Sequence, residues 1–299
     1  MCGVGAGDAL AVVVLVVGRC SSSHRPRRRR QLPTAPVFAH VLTATPSDRL
    51  DSPQLRSSRP PMTLPCPHVD HLVVAAATLA QGVRWCEGVL GVTPGPGGVH
   101  PLMGTHNRLA RLAGVSFPGA YLEIIAIDDH SEPTKPDTQR RWFGLDDPQR
   151  QARLAAQGPQ LIHWVARVPD LSAALAQCAA QGVDTGPAHR ASRPTPQGLL
   201  EWGISIPVHG HPALQGIWPT LIQWGDIHPS SHMAASGLSL QALHLQHPQA
   251  PALNALWRAL GGADDRFESG DTAMAATLCT PRGLVRLDAT LDSTSPDMI

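Results

Sequence analysis

Two histidines occupy matching positions in two similar stretches of the sequence. His71 lies in "DHLVVAAATL" and His163 in "IHWVARVPDL", and each histidine precedes a leucine by eight residues. A later apolar strand of each stretch carries one polar residue, Glu123 in "AYLEIIAID" and Gln223 in "PTLIQWGD". Equivalent positions of a pseudo-twofold pair converge on its axis, so these four side chains are predicted to meet. Two imidazoles, one carboxylate and one amide oxygen suit Fe(II), Mn(II), Ni(II), Co(II) or Zn(II).

An ordinary structural role is the alternative for each of these residues. Histidines on buried strands often bond to the backbone, and Glu123 can pair with an arginine. A single histidine would favour that interpretation. Two histidines at matched positions of a repeat, each with a polar residue on a later strand, favour a divalent metal site instead.

A glycine-rich loop, "GGVHPLMGTHN" at residues 97–107, is the second stretch whose residues indicate chemistry. Its glycines permit close backbone approach to a ligand. We expect His100 and His106 to act in catalysis together with Glu123. We expect Thr105, Asn107 and Arg193 to bind the substrate. Arg193 would hold an anionic group. The alternatives are an ordinary glycine-rich turn in which Asn107 caps its own backbone, and a solvated Arg193.

The elements that position these residues form a repeat. After each histidine strand, Thr78 or Asp170 is a good N-cap and the following residues have apolar positions at helical spacing, to residues 90 and 180. Both helices are followed by a glycine, Gly91 or Gly182, as a helix end requires. Each unit therefore predicts a strand, a helix and two or three further strands, which is an α+β fold. An extra helix begins at Asp147-Pro148, between the units.

A third, weaker copy follows the two units. "TPRGLVRL" from Thr280 repeats "TPQGLLEW" from Thr195, and a helix is predicted to end near Leu260. The position of the histidine is taken by Ala242. We therefore expect this copy to be structural, burying its apolar helix either on its own chain or in a homodimer.

Composition and the repeat together divide the chain into three predicted parts, at residues 1–61, 62–230 and 231–299. The first part holds nine arginines against three aspartates, is rich in Pro and Ser, and is predicted to be disordered. "MTLPCPHVDHLVV" from Met62 reads as a natural start, so the first part is expected to result from a start codon assigned too far upstream. A basic nucleic-acid-binding tail is its alternative.

The remaining two parts are predicted to be globular and mildly acidic, with 15 Lys and Arg against 20 Asp and Glu, which argues against a nucleic-acid partner. The apolar run at residues 9–17 is too short to cross a membrane, so no membrane partner is expected. Six cysteines without a CxxC pair predict reduced thiols and a cytoplasmic location.

Several segments together resemble the glyoxalase-like branch of the vicinal oxygen chelate superfamily. They are "HVDHLVVAAATL", "GGVHPLMGTHNRL", "AYLEIIAID", "LIHWVARVPDL", "SRPTPQGL" and "PTLIQWGDIHP". The resemblance implies paired βαβββ modules that enclose a divalent metal, here with a third, partial module. It also implies that the metal ligands are His71, Glu123, His163 and Gln223. Gln223 departs from the carboxylate that is usual at its position.

Three functions follow from the resemblance. The first is a lyase- or isomerase-like enzyme whose metal acts as a Lewis acid on a small substrate with vicinal oxygens, while Glu123 or metal-bound hydroxide moves a proton beside a carbonyl. The second is a ring-cleaving dioxygenase with non-haem Fe(II). The third is a metal-free protein of bleomycin-resistance type that sequesters an apolar ligand, which Gln223 favours.

Overall fold

The computed structural model describes residues 66–291, so the basic extension and the start at Met62 lie outside the described residues. Its strands are β1 (His68–Ala75), β2 (Val99–His100), β3 (Thr105–Ala113), β4 (Tyr121–Ile127), β5 (Gln160–Arg167), β6 (Ala188–Thr195), β7 (Gly198–Ser205), β8 (Thr220–Trp224), β9 (Ala235–Gln246), β10 (Ala273–Thr280) and β11 (Gly283–Asp288). Its α-helices are α1 (Leu79–Trp85), α2 (Pro148–Gln157), α3 (Leu171–Ala180) and α4 (Ala250–Ala259). The predicted α+β class is confirmed.

All the strands belong to one mixed sheet. Its order is β11-β10-β9-β3-β4-β1-β5-β8-β7-β6, with β2 paired to β3 beside this path. In each of the two repeated units the last strand runs parallel to the first, as β4 does to β1 and β8 to β5. The two first strands, β1 and β5, pair antiparallel at the centre of the sheet.

The register of the two central strands shows the internal symmetry. His71 faces Val165 across the strand pair, and Val73 faces His163. A twofold rotation that exchanges His71 with His163 therefore also exchanges Val73 with Val165. The two histidines are equivalent, as their sequence spacing predicts.

The predicted helix boundaries are largely confirmed. Thr78 and Asp170 cap α1 and α3, accepting hydrogen bonds from backbone amides at 3.1 and 3.0 Å. Asp147 caps α2 in the same way at 2.8 Å. The first helix differs from the prediction in one respect, because α1 ends at Trp85 and its last turn, Cys86–Leu90, is a π-helix.

The third copy extends the same sheet. β9 pairs parallel to β3, and the turns after Thr195 and Thr280 are closed by the same hydrogen bond, from the threonine hydroxyl to the carbonyl oxygen three residues later, at 2.7 and 2.9 Å. Trp257 of α4 is fully buried against aromatic rings of this chain, with centroid distances of 5.9 Å to Trp164 and 6.4 Å to Trp218. The apolar side of α4 is therefore covered within the chain, and a homodimer stays a prediction.

The two faces of the sheet carry separate apolar clusters. Leu72, Val74 and Trp164 belong to the larger cluster, which also includes residues of α3 and α4. Val73 and Val165 belong to the other cluster, with residues from the segment between the two units, among them Trp142 and Phe143. His71 alternates with Leu72 and so lies on the face of Val73, where that segment covers the sheet.

Gly82 lies where α1 packs on β4, and a Cβ atom there would overlap the Cγ2 methyl group of Ile124. We expect Gly82→Ala to lower the free energy of unfolding by about 1–3 kcal/mol through overpacking. At Gly88 no neighbouring atom lies within 4 Å of the position that a Cβ atom would take, so Gly88→Ala is the matched control and should not destabilise. Urea denaturation measures both. An equal effect of the two substitutions would contradict the packing.

Two further observations concern the environment of the protein. Among the described residues, no helix is long and apolar enough to cross a membrane. Cys66, Cys86 and Cys178 are free thiols, as expected. The cytoplasmic location stays a prediction.

Candidate active site

A small cavity lies between the two repeated units. Its volume is about 40 Å³, enough for a few water molecules. The first unit contributes most of the polar lining, which consists of His71, His100, Asn107, Tyr121 and Glu123. The second unit contributes Arg193 and an apolar wall, which consists of Leu200, Trp202, Ile204, Ile222 and Trp224. The polar side of the cavity therefore carries groups suited to catalysis, and the apolar side limits the shape of a ligand.

A buried chain of three ionisable side chains lies at the polar wall. The Nδ1 atom of His71 is 2.7 Å from Oδ1 of Asp70, and its Nε2 atom is 3.5 Å from Oε2 of Glu123. The first contact is a short, charge-assisted hydrogen bond. The second is longer than a well-formed hydrogen bond, so His71 Nε2 and Glu123 Oε2 both keep capacity for a ligand between them.

The two carboxylates control the charge of the histidine. Burial alone disfavours the imidazolium, but the hydrogen bond to Asp70 and the negative charge of Glu123 nearby outweigh it and raise the pKa of His71 from 6.5 to about 9. Burial likewise opposes ionisation of the carboxyls, yet the pKa values of Asp70 and Glu123 are lowered, chiefly by His228 and His71 respectively. At neutral pH the site holds a cation between two anions.

Asp70 is fixed by residues from the second unit. Its Oδ2 atom accepts hydrogen bonds from Nε1 of Trp224 at 3.0 Å and from Nε2 of His228 at 2.9 Å. Tyr121 stacks on the imidazole of His71, with ring centroids 4.6 Å apart. The position of His71 is thus determined by contacts from both units.

Asn107 holds the other carboxylate. Its Nδ2 group donates to Oε1 of Glu123 at 2.6 Å and to Nε2 of His100 at 3.3 Å, and its Oδ1 atom accepts from the amide of Gly98 at 2.8 Å. Nδ1 of His100 is 3.0 Å from the hydroxyl of Thr105. Burial lowers the pKa of His100 to about 4, so this histidine is neutral and positions Asn107.

His106 and Thr105 are outside the cavity lining. His106 alternates with Asn107 along β3 and therefore points to the opposite face of the sheet. Thr105 reaches the site only through His100. Of the loop residues predicted around the substrate, the structure brings His100 and Asn107 to the cavity.

Both ring nitrogens of His163 have hydrogen-bond partners within the second unit. Its Nε2 atom accepts a hydrogen bond from the backbone amide of Thr220 at 3.0 Å, and its Nδ1 group lies 3.1 Å from the carbonyl oxygen of Gly216. The ring of Phe143 lies beside it at a centroid distance of 5.5 Å. The lone pair that a metal would need is therefore engaged by the backbone.

Gln223 lies apart from the cavity lining as well. Its Oε1 atom accepts from the backbone amide of Leu171 at 2.9 Å, which satisfies a free amide at the start of α3. The strand register shows that Gln223 is not the structural counterpart of Glu123. Val73 faces Glu123, whereas the equivalent Val165 faces Thr220, so Thr220 is the structural counterpart of Glu123.

The donor set determines whether a metal fits. Of the four ligands that the sequence predicts, His71 and Glu123 converge, whereas His163 and Gln223 have backbone partners. Within residues 66–291, no group of three or more His, Cys, Asp or Glu side chains is arranged to hold a metal ion. The four predicted ligands are therefore not assembled into one metal site in this structure.

The glycines of the loop make room for neighbouring protein groups. A Cβ atom at Gly97 would overlap the backbone of Asn107, and one at Gly98 would overlap the guanidinium of Arg193. The absence of both Cβ atoms allows Asn107 and Arg193 to reach the cavity. This differs from the predicted approach of the loop backbone to a ligand.

Sequence reasoning missed several residues of the site. Asp70, Tyr121, Trp224 and His228 all contact the predicted residues or one another. The sequence does contain a signal for Asp70, because it is an acidic residue at the start of an otherwise apolar strand. No local sequence signal indicates Trp224 or His228, since they contact Asp70 from more than 150 positions away in the sequence.

Paired units around a cavity of this kind define an α+β protein of the vicinal oxygen chelate type. The family model described as "Glyoxalase-like domain" matches residues 69–261, about two thirds of the sequence, and the chain belongs to that family. No curated protein matches the chain.

The chain is also similar to solved structures, at low sequence identity. A hypothetical protein from Staphylococcus aureus is 14% identical, with a TM-score of 0.46 over 75% of this chain and 88% of its own. A variant of Streptomyces coelicolor methylmalonyl-CoA epimerase in complex with 2-nitronate-propionyl-CoA is 17% identical, with a TM-score of 0.35 over 54% of this chain and 96% of its own. Methylmalonyl-CoA epimerase from Mycobacterium tuberculosis is 18% identical, with a TM-score of 0.31 over 52% and 86%.

Proposed function

We propose that the protein is an isomerase- or lyase-like enzyme that moves a proton on a carbon next to a carbonyl group of a small, oxygen-rich substrate. The observation that carries the proposal is the buried Asp70–His71–Glu123 chain at the cavity wall, with contacts of 2.7 and 3.5 Å. Paired carboxylate and imidazolium groups suit general acid–base catalysis.

Glu123 is the base in this proposal. Its Oε2 atom takes the proton from the substrate carbon. The electron pair of the broken C–H bond forms a carbon–carbon double bond while the C=O π pair moves to the carbonyl oxygen, which gives an enolate, or an enediolate where the deprotonated carbon carries an oxygen. The hydrogen bond from Asn107 to Oε1 fixes the plane of the carboxylate. Glu123 then returns the proton to the same carbon, or to the neighbouring carbon when the hydroxyl proton of the enediolate passes to the former carbonyl oxygen.

His71 stabilises the negative charge that develops. Its imidazolium, held by Asp70, presents the Nε2–H group to the cavity, where it can donate to the enediolate oxygen. The 3.5 Å separation between His71 and Glu123 leaves space for the substrate to contact both groups. The apolar wall limits the water that would otherwise compete for them.

Solvent exchange tests the proposal without knowledge of the natural substrate. A panel of small 2-oxo and 2-hydroxy carbonyl compounds is incubated with the protein in heavy water, and the signals of the hydrogens beside the carbonyl are followed by proton NMR. We expect at least one compound to exchange only when the protein is present. A panel that shows no enzyme-dependent exchange would contradict the proposal.

Sequestration of an apolar ligand is a second candidate, favoured by the second-unit wall. The rings of Trp202 and Trp224 lie 5.7 Å apart beside Ile204 and Ile222, and all four line the cavity. Binding of an apolar compound by the wild-type protein, with no exchange or turnover of any compound in the panel, would support this candidate.

A metal-dependent form of the activity stays a prediction from the sequence, and His163 tests the ligand set. We expect His163→Ala to lower the free energy of unfolding by about 1–3 kcal/mol, because the Thr220 amide loses its acceptor. We expect it to leave the metal content of the purified protein unchanged. Elemental analysis and urea denaturation check both. Loss of a stoichiometric metal in this variant would restore the predicted set.

A further inference from the structure

Arg193 brings an unpaired positive group to the cavity. It lies on β6, and its side chain lines the cavity together with the polar residues of the first unit. Its Nη1 atom is buried and, among the described residues, has no hydrogen-bond partner. Guanidinium remains charged at any physiological pH, and a buried charged donor normally has an acceptor. The acceptor is therefore expected to be a ligand.

Gly98 is the residue that makes space for the guanidinium of Arg193. A Cβ atom at Gly98 would overlap the Nη1 atom of Arg193, so the guanidinium occupies the volume of the absent side chain. Gly98 is itself held by Asn107, which bonds to its amide at 2.8 Å and to its carbonyl at 3.0 Å. Arg193 is thus packed against the loop that also positions the proposed base.

The carboxylates of the site are engaged by other donors. Glu123 accepts from Asn107 at 2.6 Å and contacts His71, and Asp70 accepts from Trp224 and His228. The Nη1 atom of Arg193 makes no hydrogen bond to either of them. An additional anion from the substrate would meet an unused guanidinium.

We propose that Arg193 binds a carboxylate group of the substrate, so that the substrate class is a small 2-oxo or 2-hydroxy carboxylic acid. The inference rests on the proposed function and deepens it. A planar carboxylate matches the fork of the guanidinium. The carboxylate at Arg193 would direct carbon 2 of the substrate, which carries the oxo or hydroxyl oxygen, toward His71 and Glu123.

Calorimetric titration with pyruvate and glycolate tests the inference, with the uncharged pyruvamide and inorganic phosphate as comparison ligands. We expect the carboxylates to bind the wild-type protein more tightly than either comparison ligand. Arg193→Gln should weaken carboxylate binding about tenfold or more, since a hydrogen-bonded charge pair is lost. Arg190→Gln is the matched control, because Arg190 is an exposed arginine of the same strand and should leave binding unchanged.

Gly98→Ala provides an independent variant that leaves the guanidinium in the chain. The added methyl group displaces the end of a flexible side chain, so the fold should persist while carboxylate binding weakens as in Arg193→Gln. Thermal unfolding of each variant confirms that it is folded.

Three results would overturn the inference: no carboxylate binding by the wild type, unchanged binding in Arg193→Gln, or tighter binding of phosphate or pyruvamide. Different results would contradict the proposed function. Arg193-dependent carboxylate binding without any solvent exchange would contradict only proton transfer. Exchange that depends on Glu123 but not on Arg193 would contradict only the carboxylate site.

Discussion

Glu123→Gln is expected to lower the turnover number about 10²- to 10⁴-fold on any compound that the wild-type protein exchanges. Glutamine keeps the shape of the side chain and can still accept the hydrogen bond from Asn107. It cannot take a proton from carbon. The substitution therefore removes the base and keeps the contact of the side chain with Asn107.

The rate of solvent deuterium incorporation measures this effect at saturating substrate. Glu132→Gln is the control, because Glu132 is an exposed glutamate of the segment between the two units. We expect the control to exchange at the wild-type rate. A Glu123→Gln variant within a few-fold of the wild type would show that another group takes the proton.

Asp70→Asn is expected to lower the free energy of unfolding by about 3–5 kcal/mol, because it leaves the buried imidazolium of His71 without its closest counter-charge. The side chain of Asp70 is completely buried, so solvent cannot replace the lost charge. Chemical denaturation at neutral pH measures the change. Asp129→Asn, at an exposed aspartate, is the control and should have little effect.

The same variant should alter how stability depends on pH. In the wild type the pKa of His71 is raised from 6.5 to about 9, so the folded protein holds this proton more tightly than the unfolded chain. Its stabilising contribution is complete below pH 6.5 and is lost as the pH rises through about 9. Asp70→Asn removes a hydrogen bond that raises this pKa and should flatten that loss. An unchanged slope would show that Asp70 does not control the charge of His71.

The sequence predicts the fold well because its signals are local or repeated. Thr78, Asp147 and Asp170 cap the helices that they were expected to cap. His71 and His163 are equivalent in the sheet, as their spacing requires. The repeated threonine turns also have the same hydrogen bond.

The site is predicted less completely because its geometry depends on strand register and distant contacts. Matching the last strands by their polar residue selected Gln223, whereas pairing with β5 makes Thr220 the counterpart of Glu123. The hydrogen bond of His163 to Gly216 depends on a loop that no repeat predicts. No pattern in the segment between the two units indicated that Phe143, with a φ of +58°, would line the cavity.

The protonation state of His71 is the most direct test of an acid–base centre at this cavity. Nitrogen NMR of the isotope-labelled protein distinguishes imidazolium from neutral or metal-bound imidazole, with His71→Gln assigning the signal. Between pH 6.5 and 9 we expect both ring nitrogens of His71 to carry protons, with titration near pH 9. A His71 that is neutral throughout this range, or whose Nε2 atom is bound to a metal, would contradict the charged Asp70–His71–Glu123 chain.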